Sequence, residues 1–512
     1  MKEQSSAAAV SYRPKLHFAA KQHWINDPNG LVYIDGIYHL FYQCNPFGTE
    51  WGNMSWGHAT SSDLIHWQEQ PIAIPQRELK GITESIFSGC CVLDQHNVSG
   101  LGSKEQPPLL AFYTSHYSQA PEGMGRQAQS LAYSLDQGMT WAFYSDQPLI
   151  ALSPGNSEGY NANEFRDPKV FYHDTSGYWV MVLVLAIDRK VIFYRSRNLL
   201  DWEPTSTFSD PGDNPQDLWE VPDLVRMPVA DCDEVRWVLL LSVNTHGLHE
   251  DAGSTQHYFI GDFDGKNFHL KASETPQVRD GRHPGFNRLD WGRDYYAAVT
   301  FHNAPGSDPL VMAWMNNWRY ANALPSQGFR GQMTLARRLK LQFNGEQMVL
   351  CSSPVLPDLP QASVQMTEAR LGSGRVMSMP VQPMPLCLQL TIEAHQQGQL
   401  CMSLWYGDKA VRITLDADHQ SASLDRNALS GVQLPESFSA TDTAQPAHPI
   451  GGKVLLLLDN ASIEVFSVDA GWSITQQLFP VAPLERVTIE YQDEQDSDQT
   501  LEVLLEQWPM LA

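Results

Sequence analysis

The fold is decided by residues 26–43, NDPNGLVYIDGIYHLFYQ, where an acid and a proline precede two apolar runs joined by a polar turn. Pro28 presets φ and Asn29-Gly30 tolerates positive φ, so the stretch begins with a turn. The same order recurs at 166–184, RDPKVFYHDTSGYWVMVLV, and at 220–243, EVPDLVRMPVADCDEVRWVLLLSV. Three copies of one hairpin indicate a repeat architecture.

A second motif supports the repeat. It combines a serine, a turn and a later aromatic residue, and it reads SSDLIHW (61–67), SLDQGMTW (134–141), SRNLLDW (196–202) and, more loosely, GDFDGKNF (261–268). The units begin near residues 27, 88, 167, 220 and 290. Units that each hold about four strands predict an all-β fold, with residues 1–350 forming a five-bladed β-propeller. A Greek-key sandwich would leave the repeat unexplained.

The character of the sequence changes after residue 350. Residues 351–365 are rich in proline and serine and predict a linker. From 366 to 512, alternating runs such as LCLQLTIEA and KVLLLLDN lack the repeat motif and predict a separate C-terminal β-sandwich. This second domain is a candidate interface for a homo-oligomer, or only a stabilising partner of the propeller.

Composition limits the classes of partner. The formal net charge of −24 argues against nucleic acid, because nucleic-acid binding needs basic patches. No run of about 18 apolar residues predicts a membrane span, and the N-terminus lacks the apolar core of a signal peptide. A cytoplasmic location is expected, with export by another route left open. The seven cysteines are scattered and the 17 histidines lack ligand spacing, so no metal or other cofactor is predicted.

The acids of the repeated hairpins predict the chemistry. The first strand of each propeller blade lines a central funnel, so equivalent residues of different blades converge there. Asp27, Asp167 and Glu220 are expected there in matching register. Such carboxylates bind a cation or perform acid/base and nucleophilic chemistry, and calcium loops keep their ligands within about a dozen residues. Each acid alone is more often a turn residue, but the shared register favours a carbohydrate-active site.

Aromatic residues near these acids suit sugar rings, whose C–H faces stack on them. They are Trp24, Trp51, Phe87, Trp219 and Trp314. Tryptophan in a blade often serves packing alone, and Arg166 beside an acid is also compatible with a surface ion pair of little energetic value.

Three segments resemble the acidic motifs of glycoside hydrolase family 32, the β-fructosidases that include invertases, inulinases and levanases. They are WINDPNG (24–30), FRDP (165–168) and WEVPDL (219–224). Further matches fall in order along nearly the whole chain. The resemblance implies a propeller with an attached β-sandwich, in agreement with the repeats. It also implies a retaining, exo-acting enzyme that hydrolyses terminal β-D-fructofuranosides through a covalent intermediate.

The resemblance implies a role for each matching residue. Asp27 would be the nucleophile, Glu220 the general acid/base, and Asp167 the stabiliser of the transition state. Residues implied to bind the terminal fructose are Asn26, Gln43, Trp51, Phe87, Ser88, Arg166 and Trp314. Val221 stands where many family members have cysteine, which leaves the pH dependence and the acceptor preference open.

Sucrose and short fructo-oligosaccharides are the expected substrates, with inulin and levan as further candidates. A fructosyltransferase of the same family is one alternative, because water and a sugar alcohol compete for the same intermediate. A non-catalytic fructan-binding propeller is another, although loss of chemistry would normally replace one of the acids. A five-bladed enzyme acting on arabinan is a third, and it predicts none of the C-terminal matches.

Overall fold

The computed structural model of the 512-residue chain describes residues 10–153, 159–210, 217–245, 253–271, 287–344, 347–357, 365–393, 397–429, 434–445, 452–467, 471–493 and 500–510. These residues are mainly strands, turns and loops, and their helices are three short 3-10 turns at Ala321–Ala323, Asn427–Leu429 and Glu436–Phe438. None of the helices described is long and apolar enough to cross a membrane.

Contacts divide the chain into two compact units. The larger one holds His17–Asn322 and Gly328–Pro357, and the smaller one holds the described residues of Met1–Leu16, Ala323–Gln327 and Asp358–Ala512. The larger unit ends at Pro357, inside the predicted linker 351–365, and the domain boundaries at 350 and 366 stay a prediction. The strand Gln347–Pro354 extends into the predicted linker because it pairs along its whole length with the preceding strand, and a composition rich in proline and serine does not reveal such a pairing edge.

The strands of the larger unit are, in chain order, β1 (His23–Ile34), β2 (Ile37–Asn45), β3 (Ser55–Ser61), β4 (Gln68–Ile74), β5 (Arg77–Leu79), β6 (Ile82–Leu93), β7 (Leu109–Tyr117), β8 (Gln127–Ser134), β9 (Ala142–Phe143), β10 (Ile150–Ala151), β11 (Phe165–His173), β12 (Tyr178–Leu185), β13 (Lys190–Ser196), β14 (Glu203–Phe208), β15 (Leu218–Pro228), β16 (Val235–Asn244), β17 (Ser254–Phe263), β18 (Phe268–Leu270), β19 (Asn287–Arg288), β20 (Tyr296–Thr300), β21 (Leu310–Trp314), β22 (Phe329–Arg330), β23 (Arg337–Asn344) and β24 (Gln347–Pro354). Over the described ranges they form five sheets, ordered β22-β1-β2-β3-β4, β10-β8-β7-β6-β5, β11-β12-β13-β14, β15-β16-β17-β18 and β20-β21-β23-β24. Strand β9 pairs with β8, and β19 pairs with β17.

These sheets are the blades of a propeller. The innermost strands β1, β6, β11, β15 and β20 each contact the innermost strand of the next sheet. The ring closes because β20 contacts β1, and because β22, which follows β21 in the sequence, pairs in parallel with β1. The predicted five-bladed propeller is confirmed.

Apolar side chains fill the space between neighbouring blades. Strand β12 illustrates the rule, since Val180, Val182 and Val184 pack towards the fourth blade, whose cluster includes Trp219. The alternate residues of the same strand, such as Leu183, pack towards the second blade. A central strand covered on both faces needs apolar residues on both, which is why its sequence is an unbroken apolar run.

A register shift interrupts the innermost strand of every blade. It falls between Ile25 and Pro28, Ile86 and Gly89, Arg166 and Lys169, Glu220 and Asp223, and Tyr296 and Val299. Each time, two residues of the inner strand stand opposite one residue of its partner. Because such a bulge breaks the alternation of side chains, it re-aims residues that a regular strand would send to opposite faces.

The bulges correct the predicted register of the acids. Glu220 is the last paired residue before its bulge, Asp167 is the first bulged residue of β11, and Asp27 is the second bulged residue of β1. The acids therefore occupy successive positions, and the prediction of matching register is wrong. The prolines misled the alignment, because Pro222 follows Val221 rather than Glu220 directly.

The smaller unit contains β25 (Gln365–Gly372), β26 (Val376–Pro380), β27 (Leu386–Glu393), β28 (Gln399–Tyr406), β29 (Lys409–Asp416), β30 (Ser421–Asp425), β31 (Thr441–Ala444), β32 (Gly452–Asp459), β33 (Ser462–Ser467), β34 (Ser473–Gln477), β35 (Leu484–Gln492) and β36 (Thr500–Pro509). They form two six-stranded sheets in its described part, ordered β25-β36-β27-β32-β33-β34 and β26-β35-β28-β29-β30-β31. The predicted β-sandwich is confirmed. Its N-terminal segment is held by backbone N–H groups of Lys15 and Leu16, which donate to the Asp459 carboxylate at 2.9 and 2.8 Å.

A buried ion pair joins three blades directly after their bulges. Lys169 Nζ donates to Asp223 Oδ2 at 2.8 Å and to the carbonyl oxygen of Thr300 at 2.9 Å. The Thr300 N–H also donates to Asp223 Oδ2, at 2.6 Å. The side chain of Asp223 is fully buried, so its charge depends on Lys169 for neutralisation.

Replacing Lys169 by methionine is expected to lower the free energy of unfolding by about 3–5 kcal/mol, because the Asp223 carboxylate would remain buried without its cation. The double variant Lys169→Met/Asp223→Leu is expected to recover part of that loss, since it leaves no unpaired charge. Urea unfolding followed by tryptophan fluorescence measures both. A double variant no more stable than the single one would contradict the assigned role.

Candidate active site

The first carboxylate of the site lies in the bulge of β1 and is held by neutral donors. Ser88 Oγ, from the bulge of β6, donates to Asp27 Oδ2 at 2.7 Å, and Asn26 Nδ2 donates to Asp27 Oδ1 at 3.0 Å. Trp24 Nε1 donates to Asn26 Oδ1 at 2.7 Å, which fixes that amide. Each oxygen of Asp27 therefore has a donor, and the buried carboxylate has a fixed orientation.

Burial raises the pKa of Asp27 to about 6, and the negative charge of Glu220 adds to the rise. The hydrogen bonds from Ser88 and Asn26 favour the ionised form of Asp27 and so oppose this rise in its pKa. This interaction joins residues of the first and the fourth blade, Asp27 on β1 and Glu220 on β15.

Arg166 joins the other acids. Its Nη2 donates to Glu220 Oε1 at 3.2 Å, and its Nε lies 3.8 Å from Asp167 Oδ2. Its Nη1 donates to Gln127 Oε1 at 3.2 Å and to Glu164. Burial works against the guanidinium charge, but the three carboxylates outweigh it and raise the pKa of Arg166. Arg166 is thus a buried permanent cation, and the alternative of a surface ion pair is wrong.

Asp167 is held in an unusual backbone conformation. Its φ is +63°, in the left-handed region that non-glycine residues seldom adopt. Its Oδ2 accepts the N–H of Val221 at 2.9 Å, and Val221 itself has φ +48°. Burial raises the pKa of Asp167 to about 7, with Arg166 opposing the rise and Glu220 adding to it.

Tyr296 is a member of the site that the sequence did not reveal. Its O–H donates to Glu220 Oε2, so each oxygen of Glu220 has a donor, Arg166 on one and Tyr296 on the other. Burial raises the pKa of Tyr296 well above 10, which keeps the phenol a donor. Tyr296 is the last paired residue before the bulge of β20, as Glu220 is before that of β15. An alignment of YYAAV (295–299) with WEVPD (219–223) would therefore have identified Tyr296 from the sequence.

The predicted aromatic residues separate into two groups. Trp51 is 45% exposed, and its ring contacts Phe87 at a centroid distance of 6.0 Å. Phe87 stacks on His116 at 4.5 Å, so these rings form an accessible aromatic cluster. Trp314, in contrast, is fully buried and contacts Trp24 at 5.8 Å.

Two further predicted residues support the fold. Gln43 is buried, and its Nε2 donates to the carbonyl oxygen of Ile86 at 3.0 Å, which holds the strand that carries Ser88. Trp219 is fully buried in the apolar cluster between the third and fourth blades.

The site therefore offers two carboxyl groups in unlike surroundings. Asp27 receives hydrogen bonds from neutral groups, whereas Glu220 contacts a cation and a phenol. Unlike surroundings are what separates a nucleophile from an acid/base in glycosidases. Among the residues described, no group of three or more His, Cys, Asp or Glu side chains is arranged to hold a metal ion.

Comparison with known proteins agrees with this site. The model of the glycosyl hydrolases family 32 N-terminal domain matches residues 17–354, and that of the family 32 C-terminal domain matches residues 362–505. An extracellular exo-inulinase of Aspergillus awamori is 36% identical over 493 residues, covering 92% of this chain and 90% of the relative. A levanase of Bacillus subtilis is 34% identical over 490 residues, covering 93% of this chain and 68% of the relative.

The fold agrees as well. A crystal structure of exo-inulinase from Aspergillus awamori superposes with a TM-score of 0.88 at 32% identity, covering 98% of both chains. The two family models together span nearly the whole sequence, including every acid of the site. This chain therefore belongs to glycosyl hydrolase family 32.

Proposed function

We propose that this exo-acting β-fructosidase cleaves its substrate by retaining double displacement, with Asp27 as nucleophile and Glu220 as general acid/base. The observation that carries the proposal is the pair of carboxyl groups in unlike surroundings. Asp27 is fixed by Ser88 and Asn26, and Glu220 by Arg166 and Tyr296.

In the first step an Asp27 oxygen forms a bond to the anomeric carbon of the terminal fructosyl unit. The bond from that carbon to the leaving oxygen breaks, and Glu220 gives its proton to that oxygen. In the second step Glu220 takes a proton from water, whose oxygen attacks the same carbon and releases Asp27. Two inversions leave the configuration unchanged.

Arg166 and Asp167 would act on the charge that develops between these two residues. The Arg166 cation lies against Glu220, so it stabilises the carboxylate that remains after proton donation. Asp167 is buried next to Arg166. Its carboxyl group would bind a substrate hydroxyl or stabilise the positive charge that develops on the fructosyl ring.

The substrates proposed are sucrose and fructo-oligosaccharides, with inulin and levan as polymeric candidates. The names of the exo-inulinase and levanase relatives support both inulin and levan as substrates. The exposed Trp51 and the Trp51–Phe87 contact support the binding of a sugar ring at the accessible side of the site. Transfer of the fructosyl unit to another sugar is the second candidate, since any hydroxyl that replaces water completes the same second step.

Asp27→Asn and Glu220→Gln are each expected to lower kcat for fructose release from sucrose, 1-kestose, inulin and levan by roughly 10³-fold or more. Asp35→Asn is the matched control, because Asp35 lies in the exposed turn after the same strand β1 and should leave kcat unchanged. Retained activity in either site variant would refute its assigned role.

Proton NMR of the first turnovers tests retention. The fructose first released is expected to be the β-anomer, because the second inversion restores the starting configuration. Initial release of the α-anomer would exclude double displacement.

The acid limb of the kcat/KM profile is expected near pH 6, since Asp27 must be ionised to attack and its pKa is raised to about 6. Below that value kcat/KM should fall about tenfold per pH unit. The Ser88→Ala variant removes a hydrogen bond that lowers this pKa, so its acid limb should move to higher pH. A limb that stays in place, or moves to lower pH, would contradict the assignment of the limb to Asp27.

A further inference from the structure

Two buried polar side chains of the preceding blade hold the backbone around Asp167 by hydrogen bonds. The Asp167 N–H donates to Thr114 Oγ1 at 2.9 Å, and the Thr114 hydroxyl donates to Gln129 Oε1 at 2.9 Å. Gln129 Nε2 then donates to the carbonyl oxygen of Phe165 at 2.8 Å. Thr114 and Gln129 are cross-strand neighbours on β7 and β8, and both are fully buried. These bonds define the Thr114–Gln129 clamp.

The clamp encloses the strained part of β11. It fixes one group before the bulge, at Phe165, and one within it, at Asp167. Left-handed φ values in non-glycine residues are strained and persist where the surroundings over-determine them. Each polar side-chain atom of the clamp makes a hydrogen bond, so a relaxed bulge would leave buried polar groups without partners.

The constraint continues from Asp167 into the fourth blade. Asp167 Oδ2 accepts the N–H of Val221, the first bulged residue of β15. Val221 directly follows Glu220, so the conformation of Asp167 fixes the point from which the Glu220 side chain departs. A continuous series of hydrogen bonds thus runs from Gln129 in the second blade to the backbone beside Glu220.

A related arrangement occurs between the fourth and fifth blades, where the glutamine oxygen rather than the hydroxyl accepts the N–H of the bulge. Ser242 and Gln256 are cross-strand neighbours on β16 and β17, and Ser242 Oγ donates to Gln256 Oε1 at 2.8 Å. Gln256 Oε1 accepts the N–H of Ala298 in the bulge of β20 at 3.0 Å. A hydroxyl paired with glutamine is therefore a recurrent means of holding the next bulge, and in the second blade the residue held is an acid.

We propose that Thr114 and Gln129 are positioning residues of the active site, which hold Asp167 and, through Val221, Glu220 in catalytic geometry. The inference rests on the function proposed above. The clamp does not contact the substrate in this proposal. Loss of the clamp should therefore lower kcat more than it changes KM.

Thr114→Val tests the clamp, because it keeps the shape of the side chain and removes the hydroxyl. We expect kcat to fall roughly 10–100-fold, with KM changed less than about threefold, since displacement of a reacting group by about 1 Å has effects of that size. Thr114→Ser keeps the hydroxyl and is expected to retain kcat within about threefold. Gln129→Met leaves the acceptor for Asp167 in place and is expected to have an intermediate effect.

Ser115→Ala is the matched control for stability. Ser115 is the next residue of β7, is fully buried, and donates to Glu84 rather than to the site. Its loss should lower the melting temperature as Thr114→Val does, and leave kcat unchanged. If the two variants lose activity equally, or if Thr114→Val keeps kcat within twofold of the wild type, the clamp has no positioning role.

A double-mutant cycle tests whether Thr114 acts through Asp167. In an Asp167→Ala background, which removes both the carboxylate and its bond from the Val221 N–H, Thr114→Val should lower kcat no further, whereas independent effects would multiply and overturn the proposal. Wild-type protein that releases no fructose, or Asp167→Ala with normal kcat, would count against the proposed function. An active wild type and an impaired Asp167→Ala, together with normal Thr114→Val, would count against the clamp alone.

Discussion

The structure depends on one recurrent constraint, the bulge in the innermost strand of each blade. A regular strand sends alternate side chains to opposite faces. The bulges re-aim Asp27 and Asp167, Glu220 stands directly before one, and three of the bulges contain a non-glycine residue with positive φ, at Asp167, Val221 and Ala297. Such conformations are maintained by partners, and here the partners come largely from the preceding blade.

The same constraint explains the electrostatics of the site. Because Asp27 and Asp167 are buried beside the partly exposed Glu220, burial and the negative charge of Glu220 raise the pKa values of both aspartates. The Arg166 cation offsets the repulsion among these carboxyl groups, and a hydrogen bond to Glu164 holds its guanidinium in place. The site therefore holds more carboxyl groups than cations, and the loss of one member alters the protonation of the others.

The sequence predicted much of this arrangement because its signals are local. Repeated hairpins and alternating strands indicated the propeller and the sandwich, and the acid-proline steps identified the catalytic candidates. It failed where the signal was not local. The three acids were aligned on the proline that follows each of them, but Val221 stands between Glu220 and Pro222, so the register of Glu220 was wrong. Tyr296 was missed because the fifth repeat, LDWGRDYYAAVTF, has no acid-proline step on which to align it. Thr114 and Gln129 act across a blade boundary, and neither their spacing nor their residue types distinguish them in the sequence.

The proposed mechanism requires Asp27 to form a covalent bond to the fructosyl unit. Mass spectrometry of the Glu220→Gln variant after brief reaction with β-fructosyl fluoride tests this, because fluoride needs little protonation to leave, while hydrolysis of the intermediate lacks its base. We expect a mass increase of one fructosyl unit in the peptide that contains Asp27. An adduct on another residue, or turnover without any adduct on Asp27, would contradict the assignment of Asp27 as the nucleophile.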